Sequence, residues 1–273
     1  MAKRVNLLCQ LLFFVSACAP AWALSLDGLD EQEKAQLHST VKALDPFIER
    51  RKEQGTAPLI TYEELYAQLA PGQRAFADSL RQVDPAQTTG SNRKLPASDP
   101  GTRFVRLDTQ VVLKEGKPVL LDTQFLPLEA YEAYRRMMAA MERDLGKRLL
   151  VESGYRSPAY QLYLFLFYMP KHAYSVRETN RHVALPGCSE HGSPDFQAFD
   201  FITPEGVNGE DRPEEFEELQ EYGWLLARAR EFGFFLSYPR PSTELAPDSI
   251  GGSGQGASAF EPWHWHYEAN RGA

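Results

Sequence analysis

One cysteine, Cys188, remains in the chain once its first 23 residues are set aside. We expect those residues to be removed on export, and Cys9 and Cys18 both lie among them. A chain with a single cysteine cannot form an intramolecular disulfide, although exported proteins commonly use such bonds. The fold must therefore rest on side-chain packing and, where the side chains allow it, on a bound metal. With 273 residues, the chain is long enough to bury a large core without cross-links.

The N terminus has the pattern of a secretory signal peptide. Lys3 and Arg4 precede an almost entirely apolar run from Asn6 to Ala17, and Ala21-Trp22-Ala23 has the A-x-A form of a cleavage site. A second interpretation is a lipobox at Val15-Ser16-Ala17-Cys18, in which Cys18 would carry a lipid anchor. Under either interpretation the protein leaves the cytoplasm for the periplasm or cell envelope. The apolar run is too short to span a bilayer, so we expect no transmembrane segment in the mature chain.

The charge balance limits the classes of partner. The formal net charge is −8, whereas a nucleic-acid-binding protein is expected to carry a basic face. The sequence therefore predicts no nucleic-acid partner.

The mature chain divides into two regions of different character. Residues 24–100 show helical spacing of apolar side chains, interrupted repeatedly by proline, and end in a loop poor in apolar residues. Residues 101–273 mix strand and helix patterns and form the candidate catalytic domain. We therefore predict an α+β fold: a small, mainly antiparallel sheet flanked by helices, with an N-terminal helical extension.

The elements of the second region can be predicted from periodicity and turn residues. Two helices are expected over Leu128 to Leu145, ended by Gly146, and over Pro158 to Tyr168. A third helix is predicted from Glu214 to Phe232 and a flexible glycine-rich loop from Ser249 to Ser258. The predicted strands are the two arms of a hairpin, followed by four short strands: Phe104 to Leu113, Pro118 to Asp122, Leu149 to Val151, Phe199 to Ile202, Phe234 to Tyr238 and Trp263 to Tyr267.

Residues suited to hydrolytic chemistry lie in three short segments. These are Ser153-Gly154-Tyr155-Arg156-Ser157, Ser189-Glu190-His191 with Ala198-Phe199-Asp200, and Glu261-Pro262-Trp263-His264-Trp265-His266. Two histidines and one carboxylate can give Zn²⁺ three protein ligands and leave a fourth position for water, which is typical of a catalytic site. A further glutamate, three residues before one histidine, could take the proton from that water.

These motifs, S-G-Y-R-S, S-E-H…A-x-D and E-P-W-H-W, resemble those of the VanY-type D-alanyl-D-alanine carboxypeptidases. That family consists of zinc enzymes that share their fold with VanX and the hedgehog signalling domain. The resemblance runs from about Phe104 to Tyr267. It implies a carboxypeptidase that removes a C-terminal D-amino acid from peptidoglycan stem peptides.

The resemblance also implies a role for each matching residue. The zinc ligands would be His191, Asp200 and His264. Glu261 would be the general base, and Arg156 would bind the substrate carbonyl and its developing oxyanion. Ser189 and Gln161 match positions near the terminal residue of the substrate.

Two departures from the family pattern leave alternatives open. The aspartate normally follows the first histidine by seven residues, whereas Asp200 follows His191 by nine, which makes Asp195 a rival ligand. We favour Asp200, because strand alternation directs Phe199 and Phe201 to the opposite face. His266 stands where relatives often have arginine; we assign it to substrate or transition-state support, with zinc binding as the alternative.

Two other function classes fit the sequence less well. Ser39-Thr40-Val41-Lys42 fits the S-x-x-K motif of serine D,D-peptidases, but the chain has no K-T-G or S-D-N. A non-catalytic peptidoglycan-binding lipoprotein would need neither Glu261 nor Arg156. The sequence does not separate D,D-carboxypeptidase from L,D-carboxypeptidase or endopeptidase activity.

Overall fold

The structure is a computed structural model that describes residues 24–89, 94–99, 101–240 and 260–268. Helices come first in this part of the chain and small antiparallel sheets follow, so the predicted α+β class with an N-terminal helical extension is confirmed. The predicted signal peptide, including Cys18, and the glycine-rich loop lie outside the described residues. Within those residues, no helix is both long and apolar enough to span a bilayer.

The described residues of the N-terminal region contain four α-helices. They are α1 (Glu31–Glu53), α2 (Tyr62–Tyr66), α3 (Pro71–Arg81) and α4 (Ala86–Thr89). Helix α1 begins at a capping box, in which Asp30 and Glu33 each accept a hydrogen bond from the other's backbone N–H. Proline begins α3, as expected where the residue has no N–H to offer an intrahelical bond.

These helices pack on two helices from the second region. Helix α6 (Pro158–Tyr168) has the predicted bounds, and α7 (Val176–Asn180) follows it. Their apolar side chains share one hydrophobic cluster with Leu37 and Leu44 of α1 and Phe76 of α3. The N-terminal extension thus shares a core with the second region.

The predicted hairpin is present but shorter than expected. Strands β2 (Val111–Lys114) and β3 (Lys117–Leu120) pair across a turn at Glu115 and Gly116, both of which have positive φ, as in a type I′ turn. The prediction of one continuous strand from residue 104 to residue 113 is wrong. Its first part is a separate strand, β1 (Phe104–Leu107), which pairs with β4 (Gln124–Pro127).

The other predicted elements form a four-stranded antiparallel sheet with a helix layer. The sheet order is β5 (Leu150–Ser153), β6 (Phe196–Ile202), β8 (His264–Glu268) and β7 (Phe234–Leu236). Helix α5 (Leu128–Leu145) has the predicted bounds and ends at Gly146, which has φ 68°. The helix predicted from residue 214 to residue 232 is divided into α8 (Pro213–Glu217), α9 (Gln220–Arg228) and a short 3-10 turn.

One face of this sheet is buried against α5 and α9. Phe199 and Phe201 of β6 are fully buried there with Leu225 of α9, in a second hydrophobic cluster. Residues alternate between the two faces of a strand, so Asp200 lies on the face opposite the two phenylalanines. The packing of the sheet therefore fixes the direction of this carboxylate.

Candidate metal centre and cleft

Two of the three predicted metal ligands are opposite each other on neighbouring strands. Asp200 of β6 is in register with His264 of β8. Directly opposed side chains of an antiparallel pair lie close together on one face. Asp200 Oδ1 is accordingly 2.7 Å from His264 Nδ1.

The third predicted ligand, His191, lies on a 3-10 turn that spans Glu190–Gly192. Its Nδ1 is 2.7 Å from the carbonyl oxygen of Gly154. A carbonyl only accepts hydrogen bonds, so Nδ1 carries the proton and Nε2 keeps its lone pair. That Nε2 faces Asp200, 3.2 Å from Oδ2.

The segment that holds His191 requires glycine. A Cβ on Gly154 would lie 2.6 Å from the carbonyl oxygen of Phe125, closer than any side chain allows. The backbone N–H of Arg156 also donates to the carbonyl of His191, at 2.9 Å. The S-G-Y-R-S and S-E-H motifs therefore support each other through their backbones.

His191, Asp200 and His264 converge so that one ligand-type atom of each lies within 4.8 Å of the others. Burial opposes ionisation of Asp200, yet the two histidines hold the pKa of its carboxyl well below the usual range. Burial lowers the pKa of His191, and Arg156 lowers it further. Burial alone would also lower the pKa of His264, but Asp200 and Glu190 raise it to about 10. The cluster therefore offers an ionised carboxylate, one neutral histidine, and one histidine at which a metal would replace a proton.

This donor set fits zinc. Two imidazoles and a carboxylate are the ligands of many catalytic zinc sites, and the lone pair of His191 Nε2 already points into the cluster. The alternative ligand Asp195 is exposed at the turn before β6 and is not part of the cluster.

A chain of buried polar side chains lies behind His264. Its Nε2 is 3.1 Å from Glu190 Oε2, and the same oxygen accepts a 2.7 Å hydrogen bond from Ser237 Oγ. Ser237 Oγ is also 2.8 Å from His266 Nδ1, while His266 Nε2 is 3.0 Å from Glu268 Oε1. His266 thus has a partner at each nitrogen, and it is absent from the residues that line the cleft described below.

The predicted base and the predicted oxyanion partner flank the cluster. Glu261 Oε2 is 4.0 Å from His264 Nδ1, and burial raises the pKa of its carboxyl to about 7. Arg156 has a buried Nε with no hydrogen-bond partner in the described part of the chain. A buried donor without a partner is costly, so this atom is suited to binding a group supplied by a substrate.

One cleft of about 960 Å³ is lined by His191, Asp200 and His264 and by Glu190, Glu261 and Arg156. Its lining does not include Ser237, His266 or Glu268. Ser189 and Gln161, predicted to contact substrate, both line it. Gln161 is almost fully buried; its amide nitrogen donates to the carbonyl of Ala184 at 2.7 Å, and its Oε1 has no partner among the described residues. The cleft thus contains a fixed acceptor as well as a fixed donor.

The alternative serine site is elsewhere in the molecule. Ser39 and Lys42 are exposed on α1 and do not line the cleft. Ser39 Oγ accepts a hydrogen bond from Gln73 at 2.8 Å. Burial raises the pKa of the Cys188 thiol to about 11, which disfavours the thiolate that a nucleophile needs.

Sequence reasoning gave no role to several residues of the site. Glu190 is part of the S-E-H motif, but its partners His264 and Ser237 lie far along the chain. Trp263, which lines the cleft, packs on Gly209, where a Cβ would be 2.1 Å from the indole. No spacing in the sequence signals either contact.

Comparison with known proteins gives one family model and two relatives, and all three are described as carboxypeptidases. The family model for VanY, D-alanyl-D-alanine carboxypeptidase, matches residues 123–270. The chain is 26% identical over 153 residues to the putative carboxypeptidase YodJ of Bacillus subtilis, covering 56% of this chain and 50% of YodJ. It is 25% identical over 151 residues to the bifunctional D-Ala-D-Ala dipeptidase and carboxypeptidase VanXYC of Enterococcus gallinarum, covering 52% of this chain and 67% of VanXYC. The chain thus spans half the length of YodJ.

Similar solved structures include a variant of the vancomycin resistance D,D-pentapeptidase VanY in complex with Zn(II). It is 24% identical, with a TM-score of 0.38 over 59% of this chain and 79% of that one. DacB from Streptococcus pneumoniae is 19% identical, with a TM-score of 0.36 over 63% of this chain and 85% of that one.

Proposed function

Because the chain belongs to the VanY family of D-alanyl-D-alanine carboxypeptidases, we propose that it is a zinc-dependent carboxypeptidase acting on peptidoglycan stem peptides. The bond cleaved would be the one before a C-terminal D-alanine. We place the activity in the periplasm or cell envelope, because residues 1–23 have the pattern of a signal peptide.

One observation carries this proposal. His191, Asp200 and His264 converge at one end of a cleft whose wall also bears Glu261 and the unpartnered Nε of Arg156. A module that only bound peptide would need neither a base nor a cation at this position. The arrangement supports hydrolysis.

The protein groups divide the chemistry between them. His191, Asp200 and His264 would hold zinc, which when bound polarises a carbonyl and lowers the pKa of water. Glu261 accepts the proton of the attacking water and then delivers it to the leaving amine. Arg156 donates hydrogen bonds to the oxygen on which negative charge develops. Gln161 Oε1 accepts a hydrogen bond from an N–H of the peptide and thereby fixes the position of the peptide.

Defined stem peptides test the proposal. The purified protein should release D-alanine from a pentapeptide ending in D-Ala-D-Ala, which mass spectrometry would detect. A chelator should abolish the reaction and added Zn²⁺ should restore it. Cleavage of tetrapeptide alone would assign L,D-carboxypeptidase activity, and activity that persists in chelator would overturn the zinc assignment.

Substitutions within the same assay separate the base from the ligands. Glu261→Gln should keep zinc and lose turnover by a factor of at least about 10². His264→Ala should lose both zinc and turnover. Glu205→Gln, at an exposed position outside the cleft, is the matched control and should leave both unchanged. Wild-type turnover by Glu261→Gln would show that another group is the base.

A further inference from the structure

The cleft extends well beyond the candidate metal centre, along one face of α6. Tyr160, Leu164 and Tyr168 all line it. Their spacing of four residues places them on one face of the helix, and the rise from the first to the third is about 12 Å. Helix α6 begins just after Arg156, so its C-terminal end is the end remote from the metal centre.

The length of this face is that of a short peptide. An extended chain advances about 3.3–3.6 Å per residue, so 12 Å corresponds to roughly three or four residues. Gln161 Oε1, buried and without a partner among the described residues, lies in the first turn of the same helix, where it can accept a hydrogen bond from a backbone N–H near the C-terminal end of the peptide. The cleft can therefore hold substrate residues on the acyl side of the scissile bond.

Charge is distributed unevenly along the cleft. Acidic side chains outnumber the one cation, Arg156, at its metal end: Glu152, Glu190, Asp200, Glu210 and Glu261. The remote end is lined by two cations, Lys171 and Arg181, and one carboxylate, Glu178, together with His172 and His182, whose rings stack at 4.4 Å. We call Lys171, Arg181, His172 and His182 the distal site.

Lys171 is the cation of the distal site that is available to a ligand. Arg181 is paired with Glu178 at 3.1 Å, whereas no carboxylate in the described ranges lies within 4.0 Å of Lys171. The Lys171 ammonium lies 4.7 Å from the centroid of the Tyr168 ring, which holds it over the cleft face of α6. An ammonium held in this way is suited to binding an anion.

We propose that the distal site binds a carboxylate carried by the substrate three or four residues before the scissile bond. This inference rests on the proposed function, because it takes the ligand to be a peptide whose C-terminal end lies at the metal centre. The distal site would thus select stem peptides with a free acid at that residue over peptides in which the acid is amidated.

The test uses two peptides that differ only in a carboxylate or a carboxamide at that residue. The wild-type protein should show a lower KM for the acid. Lys171→Ala should raise KM for the acid about threefold to fivefold, with kcat and zinc content unchanged and KM for the amide unaffected. Lys171→Glu should reverse the preference. Lys117→Ala, at an exposed position of β3 outside the cleft, is the control.

Binding measurements keep the two proposals distinguishable. Titration calorimetry gives Kd for both peptides without requiring turnover. If neither peptide is cleaved but the wild type binds the acid with a lower Kd than the amide, and Lys171→Glu reverses this order, the proposed function fails and the distal site stands. Equal Kd values of the wild type for the two peptides, or the same preference for the acid in Lys171→Glu as in the wild type, would overturn the distal site.

Discussion

Among single residues, Glu190 is the one to which the structure adds most. Its carboxylate accepts a hydrogen bond from Nε2 of His264 and another from Ser237, and all three side chains are buried. Carboxylates that orient a ligand histidine typically change metal affinity about 10–100-fold when altered. We therefore expect Glu190→Gln to weaken zinc binding by about that factor, measured by competition with a chromophoric chelator.

A matched variant separates this effect from a general loss of charge. Glu205→Gln makes the same replacement of a carboxylate by an amide, but at an exposed position, so its zinc affinity should equal that of the wild type. Ser237→Ala should have a smaller effect than Glu190→Gln, because the charged acceptor stays in place. Unchanged zinc affinity in Glu190→Gln would show that β8 alone orients His264.

The resemblance of three motifs to the VanY family indicated the residues that converge at the candidate metal centre, but not those behind them. Asp200 could be preferred over Asp195 because its neighbours Phe199 and Phe201 are apolar. The chain of buried polar side chains behind His264, which includes Ser237 and Glu268, depends on the strand order β6-β8-β7, and no local pattern encodes that order. Polar residues on short strands look alike in sequence whether they face solvent or one another.

At the scale of elements, the start of α6 joins the N-terminal region to the Arg156 segment. Ser157 Oγ accepts a hydrogen bond from the N–H of Tyr160 as the helix cap, and it donates to the carbonyl of Ile60 at 2.6 Å. Loss of a cap costs about 0.5–2 kcal/mol, and an unpartnered buried carbonyl costs about 1–3 kcal/mol. Ser157→Ala should therefore lower the free energy of unfolding by about 2 kcal/mol, measured by urea denaturation.

Thr61→Ala provides the comparison for Ser157→Ala. Thr61 caps α2 by accepting from the N–H of Glu64, but it is exposed and has no buried carbonyl as a second partner. Its loss should cost about 1 kcal/mol or less. Equal effects of the two substitutions would mean that the bond to Ile60 contributes nothing measurable.

Helices with clear end signals were predicted well, and elements defined by distant partners were not. Helix α5 ends at Gly146, and proline begins α6, so both helices have local boundaries. The predicted strand from residue 104 to residue 113 breaks because β1 pairs with β4, while the amide of Gln110 bonds both the N–H and the carbonyl of Val151. Periodicity shows neither contact. The predicted helix from residue 214 to residue 232 breaks at Leu219, which is extended and packs against the core under the sheet.

At the scale of the whole molecule, the N-terminal helices and the site belong to one structural unit. Pro58 accepts a hydrogen bond from the N–H of Ser157 at 2.8 Å, and Tyr62 Oη donates to the carbonyl of Pro158 at 3.1 Å. Lys52, Gly55 and Pro58 also line the cleft. The extension therefore forms part of the cleft wall in addition to covering α6.

Removal of the extension should consequently destroy the fold of the remainder. Leu162, Phe165 and Leu166 of α6 are fully buried in the cluster shared with α1 and α3. Each such side chain contributes about 1.5–3 kcal/mol when buried, against a total domain stability of about 5–15 kcal/mol. A fragment starting at Gly101 should give no cooperative thermal transition, whereas the longer chain starting at Leu24 should unfold in a single calorimetric transition. A soluble, cooperatively folded fragment that binds zinc would instead show that residues 101–273 are an independent domain.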